Sequence, residues 1–115
     1  MTYSLFIDDE RDPHNVTWVE PRYLYEMHDW VITRTVAETL DYIDTFGMPS
    51  TISFDHDLAG EERAITIVQA IIDKHIAGTL LFPDDFQYKV HSKNPVGAEN
   101  IRSLLQRYID FVKAL

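Results

Sequence analysis

Short apolar runs alternate with amphipathic stretches along the chain. Ser4-Leu5-Phe6-Ile7 ends in three consecutive apolar residues, the mark of a strand buried on both faces, and Asp8 and Asp9 stop it abruptly. Trp30-Val31-Ile32-Thr33-Arg34 and Thr51-Ile52-Ser53-Phe54 predict a second and a third strand. In Phe86-Gln87-Tyr88-Lys89-Val90-His91 apolar and polar residues alternate, the period of a fourth strand at a sheet edge with one wetter face. Between them, Thr35 and Glu38 form a capping box ahead of Leu40, Ile43 and Phe46, and Gly47 followed by Pro49 stops that helix. Ala64, Ile65, Ile67, Val68, Ile71, Ile72 and Ile76 mark a second helix ending at Gly78. Asn94-Pro95, a cap residue and a proline at the first helical position, opens a last helix that runs to the C-terminus with Ile101, Leu104, Leu105, Tyr108, Ile109 and Val112 on one side. The stretch 13–29, broken by Pro21, reads as a long loop with room for a helical turn or two around Tyr23, Leu24 and Met27.

Strands alternating with helices predict right-handed crossovers and a mostly parallel sheet covered by helices. The two most apolar strands, the first and third, belong at the centre. The expected fold is thus a three-layer, flavodoxin-like α/β domain spanning 1–115, with strand order 2-1-3-4. Ligands of such sheets bind beyond the carboxyl ends of the strands, where the winding reverses.

Composition narrows the chemistry. The 115 residues carry 10 Lys and Arg against 19 Asp and Glu, a net charge of −9, and no cysteine. Thiolate metal sites, disulfides and a cysteine nucleophile are excluded, which leaves His, Asp and Glu as the strong metal ligands. The acidity argues against non-specific binding of duplex nucleic acid. Without an apolar run of spanning length or a leader, the expectation is a soluble, cytoplasmic protein with no membrane partner.

The predicted carboxyl ends are all polar: Asp8, Asp9, Glu10 and Arg11; Arg34; Asp55, His56 and Asp57; then His91, Ser92 and Asn94. Asp8, Asp9, Asp55 and Asp57 crowded at one point would repel one another unless protons or a cation intervened, and hard oxygen ligands favour Mg²⁺ or Mn²⁺. His56 and His91 titrate near neutrality and qualify as an acid and base pair, whereas His14, His28 and His75 lie elsewhere and read as structural. The start of the last helix, with Ser92, Lys93, Asn94 and Gly97, offers free backbone N–H groups to a phosphate, and Arg11 and Arg34 can each add a planar fork.

The blocks Leu5-Phe6-Ile7-Asp8-Asp9-Glu10-Arg11-Asp12-Pro13, Val31-Ile32-Thr33-Arg34-Thr35, Ile52-Ser53-Phe54-Asp55-His56-Asp57-Leu58 and Val90-His91-Ser92-Lys93-Asn94-Pro95-Val96-Gly97-Ala98 resemble, in order, the cyclic-phosphate processing receiver domain family. The sequence departs from the family pattern in Phe54, in a longer connection over 12–29, and in the helix start at Gly60-Glu61-Glu62-Arg63-Ala64. The resemblance implies a receiver-like fold whose acids bind a divalent ion, and a role in processing cyclic phosphate ends, linked to RNA repair and to phage genomes. On that pattern Asp8, Asp9 and Asp55 would hold the metal, and His56, His91, Asp55 and Asp57 would do the chemistry. Ser92 and Asn94 would contact the phosphate on the same pattern, joined by Arg11, Arg34, Lys93 and Gly97 from their placement at the rim. The expected activity is a metal-assisted phosphoesterase acting on a cyclic phosphate of a small nucleotide or an RNA end. Two alternatives stand beside it: a signalling receiver phosphorylated at Asp55, disfavoured because no fifth, lysine-bearing strand follows, and a non-catalytic module that sequesters a cyclic nucleotide.

Overall fold

A computed structural model describes residues 2–27, 29–58 and 60–115. The sheet is wholly parallel, in the order β2-β1-β3-β4, with β1 at Ser4–Ile7, β2 at Trp30–Thr33, β3 at Thr51–Phe54 and β4 at Gln87–Val90. This is the α/β arrangement and the strand order expected. In register, Ile7 lies beside Thr33 on one side and Phe54 on the other, and Phe54 lies beside Val90. All four strands therefore end on one rim. The edge strands are shorter than the hydropathy pattern suggested, leaving Arg34, Phe86 and His91 just outside the ladder.

The regular helices follow the sequence signals closely. In α2, Val36–Phe46, the Thr35 hydroxyl caps the Glu38 amide, and the Glu38 carboxylate reaches back one residue further than a standard box, to the Arg34 amide. Gly47 closes α2 at φ 83°, a left-handed conformation that a side chain would strain. The third helix, α3, spans Ala64–Ile76, and the last, α4, spans Pro95–Lys113 with the Asn94 side chain accepting from the Gly97 amide. Among the described residues, no helix is long and apolar enough to cross a membrane.

The two faces of the sheet are covered differently. Side chains alternate along a strand, so Leu5, Ile7, Ile52 and Phe54 share one face. All three long helices pack there, with Ile43, Ile67, Val68, Ile71, Ile101 and Leu105 completing a single large core. Phe6 turns to the opposite face, into a smaller cluster with Val16 and Tyr25. The stretch 13–29 supplies that cover. It contains a 3₁₀ turn at Pro13–Asn15 and a short helix, α1, at Tyr23–Met27, so the expected loop is in fact a thin packed layer. Its hold is aromatic: the Tyr25 and Trp30 rings stack at 5.6 Å, and both meet Phe6 edge-on. Aromatic anchoring of this kind has no helical period, which is why the pattern of the sequence did not show it.

Candidate active site at the carboxyl rim of the sheet

Strand alternation carries the Phe6 face onward to the rim. Asp8 follows Phe6 by two residues and Asp55 follows Ser53 by two, so both acids continue the face that Tyr25 covers. The backbone extends each strand past its formal end: the Asp8 amide donates to Thr33, the Asp55 amide to Ile7 and the His91 amide to Phe54. These three residues are thereby held side by side, and all are buried.

His91 is fully buried and lies flat on Phe6, with ring centroids 4.4 Å apart. Its Nε2 is 3.0 Å from Asp8 Oδ2 and its Nδ1 is 2.7 Å from Ser53 Oγ, which in turn is 2.8 Å from the Tyr25 hydroxyl. An ionised carboxylate only accepts, so Nε2 carries the hydrogen on the Asp8 side. The result is a continuous buried chain from Tyr25 through Ser53 and His91 to Asp8. Asp8 Oδ1 accepts the amides of Glu10 and Arg11 at 2.9 and 2.8 Å, and the Arg11 guanidinium stands 3.6 Å from Oδ2. Burial alone would raise the Asp8 pKa, but the hydrogen bonds from His91 and from the Arg11 and Glu10 amides, with the charge of His91, outweigh it and hold the group at about 2. Burial likewise raises the Tyr25 pKa, against the opposing bond to Ser53.

Asp55 is the electrostatic opposite. Burial and then the neighbouring Asp8 charge push its pKa up, and among the described residues its carboxylate accepts a hydrogen bond only from the next amide, that of His56, at 2.9 Å. Ligand atoms of Asp8, Asp55 and His91 all lie within 4.8 Å of one another, a buried group that could hold a metal ion. The donor set fits such an ion: two carboxylates close together, one of them with an oxygen left without a hydrogen-bond partner among the described residues. His91 Nε2 is already committed to Asp8, so the oxygens are the open donors.

The rim encloses a cavity of about 270 Å³ lined by Asp8, Asp9, Glu10, Arg11, Asp55, Asp57, Ser92, Lys93 and Asn94. Most of the residues expected there thus meet in one place. The Ser92 hydroxyl accepts from the Asn94 amide at 3.1 Å, which folds the turn into α4. Asp57 is exposed and is shared between Arg63, at 3.2 Å, and His56 Nε2, at 3.7 Å.

Four expected residues do not line the cavity. His91 lies behind Asp8, with both ring nitrogens engaged, and acts on the pocket only through that carboxylate. His56 is tucked beneath the start of α4, where its Nδ1 is buried without a hydrogen-bond partner among the described residues. Gly97 explains that placement: a Cβ there would come within 2.2 to 2.4 Å of the His56 ring, so the glycine admits the imidazole rather than a phosphate, and its amide is spent on the Asn94 cap. Arg34 bonds the carbonyls of Asp8 and Arg11 and pairs with Asp12 at 2.7 Å, bracing the turn after β1 from behind. Of the histidines read as structural, His14 is exposed, His75 bonds the Tyr108 hydroxyl, and His28 lies outside the described residues.

Three contributors escaped the sequence reading: Ser53, Tyr25 and Trp18. Ser53 carried a signal, since a polar residue in an otherwise apolar central strand must find a buried partner. Trp18 does not line the cavity but touches two residues that do, Arg11 and Lys93, and its Nε1 donates to the His91 carbonyl at 2.8 Å.

The chain matches the family model described as cyclic-phosphate processing receiver domain over residues 3–107. Neither a curated protein nor a solved structure shows a significant match.

Proposed function

We propose that the chain, which belongs to the cyclic-phosphate processing receiver domain family, is a metal-assisted phosphoesterase opening a cyclic phosphate on a nucleotide or an RNA end. The observation that carries this reading is Asp55: a buried carboxylate with an open oxygen, beside Asp8 and across one cavity from Lys93. Acids and a cation in one pocket suit a phosphate diester brought in on a divalent ion.

Asp8, Asp9 and Asp55 are the residues that would hold that ion, Mg²⁺ or Mn²⁺ by their hard oxygen donors. Bound there, it would neutralise the acids and polarise the phosphoryl oxygens. Arg11 and Lys93 balance charge on the remaining phosphate oxygens, and Ser92 offers its hydroxyl proton. Ring opening adds water to phosphorus and breaks one ring P–O bond. The water loses a proton and the departing ribose oxygen gains one. Asp57, in the cavity, and His56, at 3.7 Å from it, form the pair through which those protons pass. His91 is a positioning residue here, holding Asp8 in one orientation from below.

The test is a panel of nucleoside 2′,3′-cyclic phosphates and an RNA oligomer with that end, followed by phosphorus NMR with Mg²⁺ or Mn²⁺ and again with chelator. Ring opening that stops in chelator supports the reading, and the product's phosphate position gives the regiochemistry. Ligand recovered unopened would favour a sequestering module. Stable labelling of Asp55 by acetyl phosphate, with no ring opening, would favour a signalling receiver.

A further inference from the structure

Lys93 is in an unexpected place. It lines a cavity with five carboxylates, those of Asp8, Asp9, Glu10, Asp55 and Asp57. Yet among the described residues its ammonium forms no ion pair with any of them. Its Nζ instead sits 4.2 Å from the centroid of the Trp18 ring. The Arg11 guanidinium is drawn to the same ring, at 5.2 Å. Trp18 is itself pinned by its bond to the His91 carbonyl, which fixes the indole to the strand end that also carries the Asp8 partner.

A flexible lysine beside an under-neutralised acid would ordinarily swing onto it. There it would occupy the oxygens a metal needs and lose its own freedom to meet a phosphate. An indole face is the strongest aromatic seat for an ammonium, and it competes for Lys93 without contributing a negative charge. We propose that Trp18 is a positioning residue that holds Lys93 off the carboxylates, so that the acids stay open to a divalent cation and the lysine stays open to phosphate, while Arg11, on the same ring, keeps its pair with Asp8. This rests on the cation-binding reading of the pocket above. It assigns to the irregular 13–29 segment a part in the site that no catalytic group in that segment would supply.

The experiment is a cycle of variants read by Mn²⁺ calorimetry, without substrate. In Trp18→Leu the seat is gone, Lys93 falls onto Asp55 or Asp57, and Mn²⁺ affinity drops about fivefold to tenfold, the scale of one cation–π contact. The double variant Trp18→Leu/Lys93→Met removes the competitor as well and returns the affinity to wild type. Trp18→Phe keeps a ring but not the bond to His91, and stays close to wild type. A double variant as weak as Trp18→Leu overturns the proposal, because Trp18 would then be acting through the fold of its loop. A second readout needs no metal: in the metal-free protein the Lys93 Cε protons are shifted upfield by the indole ring current. That shift survives in Trp18→Phe and vanishes in Trp18→Leu. Wild-type protein that takes up no Mn²⁺ but shows the ring-current shift would overturn the metal reading and leave the clamp standing; a missing shift in wild type overturns the clamp.

Discussion

Replacing Asp55 by Asn should make the metal-free protein more stable, not less. The Asp8 and Asp55 ligand oxygens lie within 4.8 Å of one another. At an effective dielectric near 20, two like charges at that separation repel by about 3.5 kcal/mol. The Arg11 guanidinium and the His91 ring beside Asp8 offset part of this, and Asn retains an oxygen to accept from the His56 amide. A net gain of about 1–2 kcal/mol remains, equivalent to a rise of roughly 5 °C in the melting temperature. The pH dependence follows from the direction of the Asp55 shift. A carboxyl whose folded pKa is raised stabilises the protein fully below its unfolded value, near 4, and that contribution is lost as pH rises through the folded pKa. The advantage of Asn should therefore appear at neutral pH and fade below about pH 4. Mg²⁺ should reverse the order, because only wild type binds it: at hundredfold excess over Kd it adds about 2.7 kcal/mol to wild type and nothing to the variant. Thermal and urea unfolding at pH 7, with and without Mg²⁺, measure all of this. A variant less stable than wild type in chelator, or one that Mg²⁺ stabilises equally, would refute the reasoning.

Three further outcomes follow from particular contacts. Gly97→Ala drives a Cβ to 2.2 Å from the His56 ring and should cost about 1–3 kcal/mol in urea unfolding, much of it recovered when His56→Ala is added. His91→Phe keeps a ring on Phe6 but strips Asp8 and Ser53 of one buried partner each, so stability should fall by about 2–3 kcal/mol and Mn²⁺ affinity should fall with it in calorimetry. The Tyr3 hydroxyl, half-buried and near Tyr42, has its pKa raised to about 12 by that burial and then by Tyr42, and donates to the Gly47 carbonyl at 2.6 Å. Its stabilising contribution is complete below about pH 10 and is lost as pH rises toward 12, so the difference between wild type and Tyr3→Phe in urea titrations should shrink over that window.

What could be read from the chain and what could not divide along physical lines. Leu5-Phe6-Ile7 and Ile52-Ser53-Phe54 announce central strands because a strand buried on both faces has no polar alternation, and the caps at Thr35 and Asn94 announce helices by local chemistry alone. Once the strand order follows, the acids at the strand ends must meet, and Asp8, Asp9, Asp55 and Asp57 do. The second face resisted, because Tyr25 and Trp30 hold it by ring contacts to each other and to Phe6, with Val16 packed beside them, and such contacts have no period. Histidine roles resisted for a different reason. Residue type and position gave His56 and His91 equal standing, whereas the depth that separates them depends on Gly97 making room for one and Phe6 lying under the other. Arg34 stands at a strand end as expected, but its reach is set by the turn after β1, whose carbonyls it braces.

The central claim is that a divalent cation and a phosphate share the pocket built on Asp8 and Asp55. Phosphorus relaxation of a bound nucleoside 2′,3′-cyclic phosphate in the presence of Mn²⁺ tests it most directly, since the paramagnetic effect falls off steeply with distance. Strong enhancement in wild type that disappears in the folded Asp55→Asn variant is the predicted result. Equal enhancement in both proteins, or none in wild type that binds the ligand, would contradict the account.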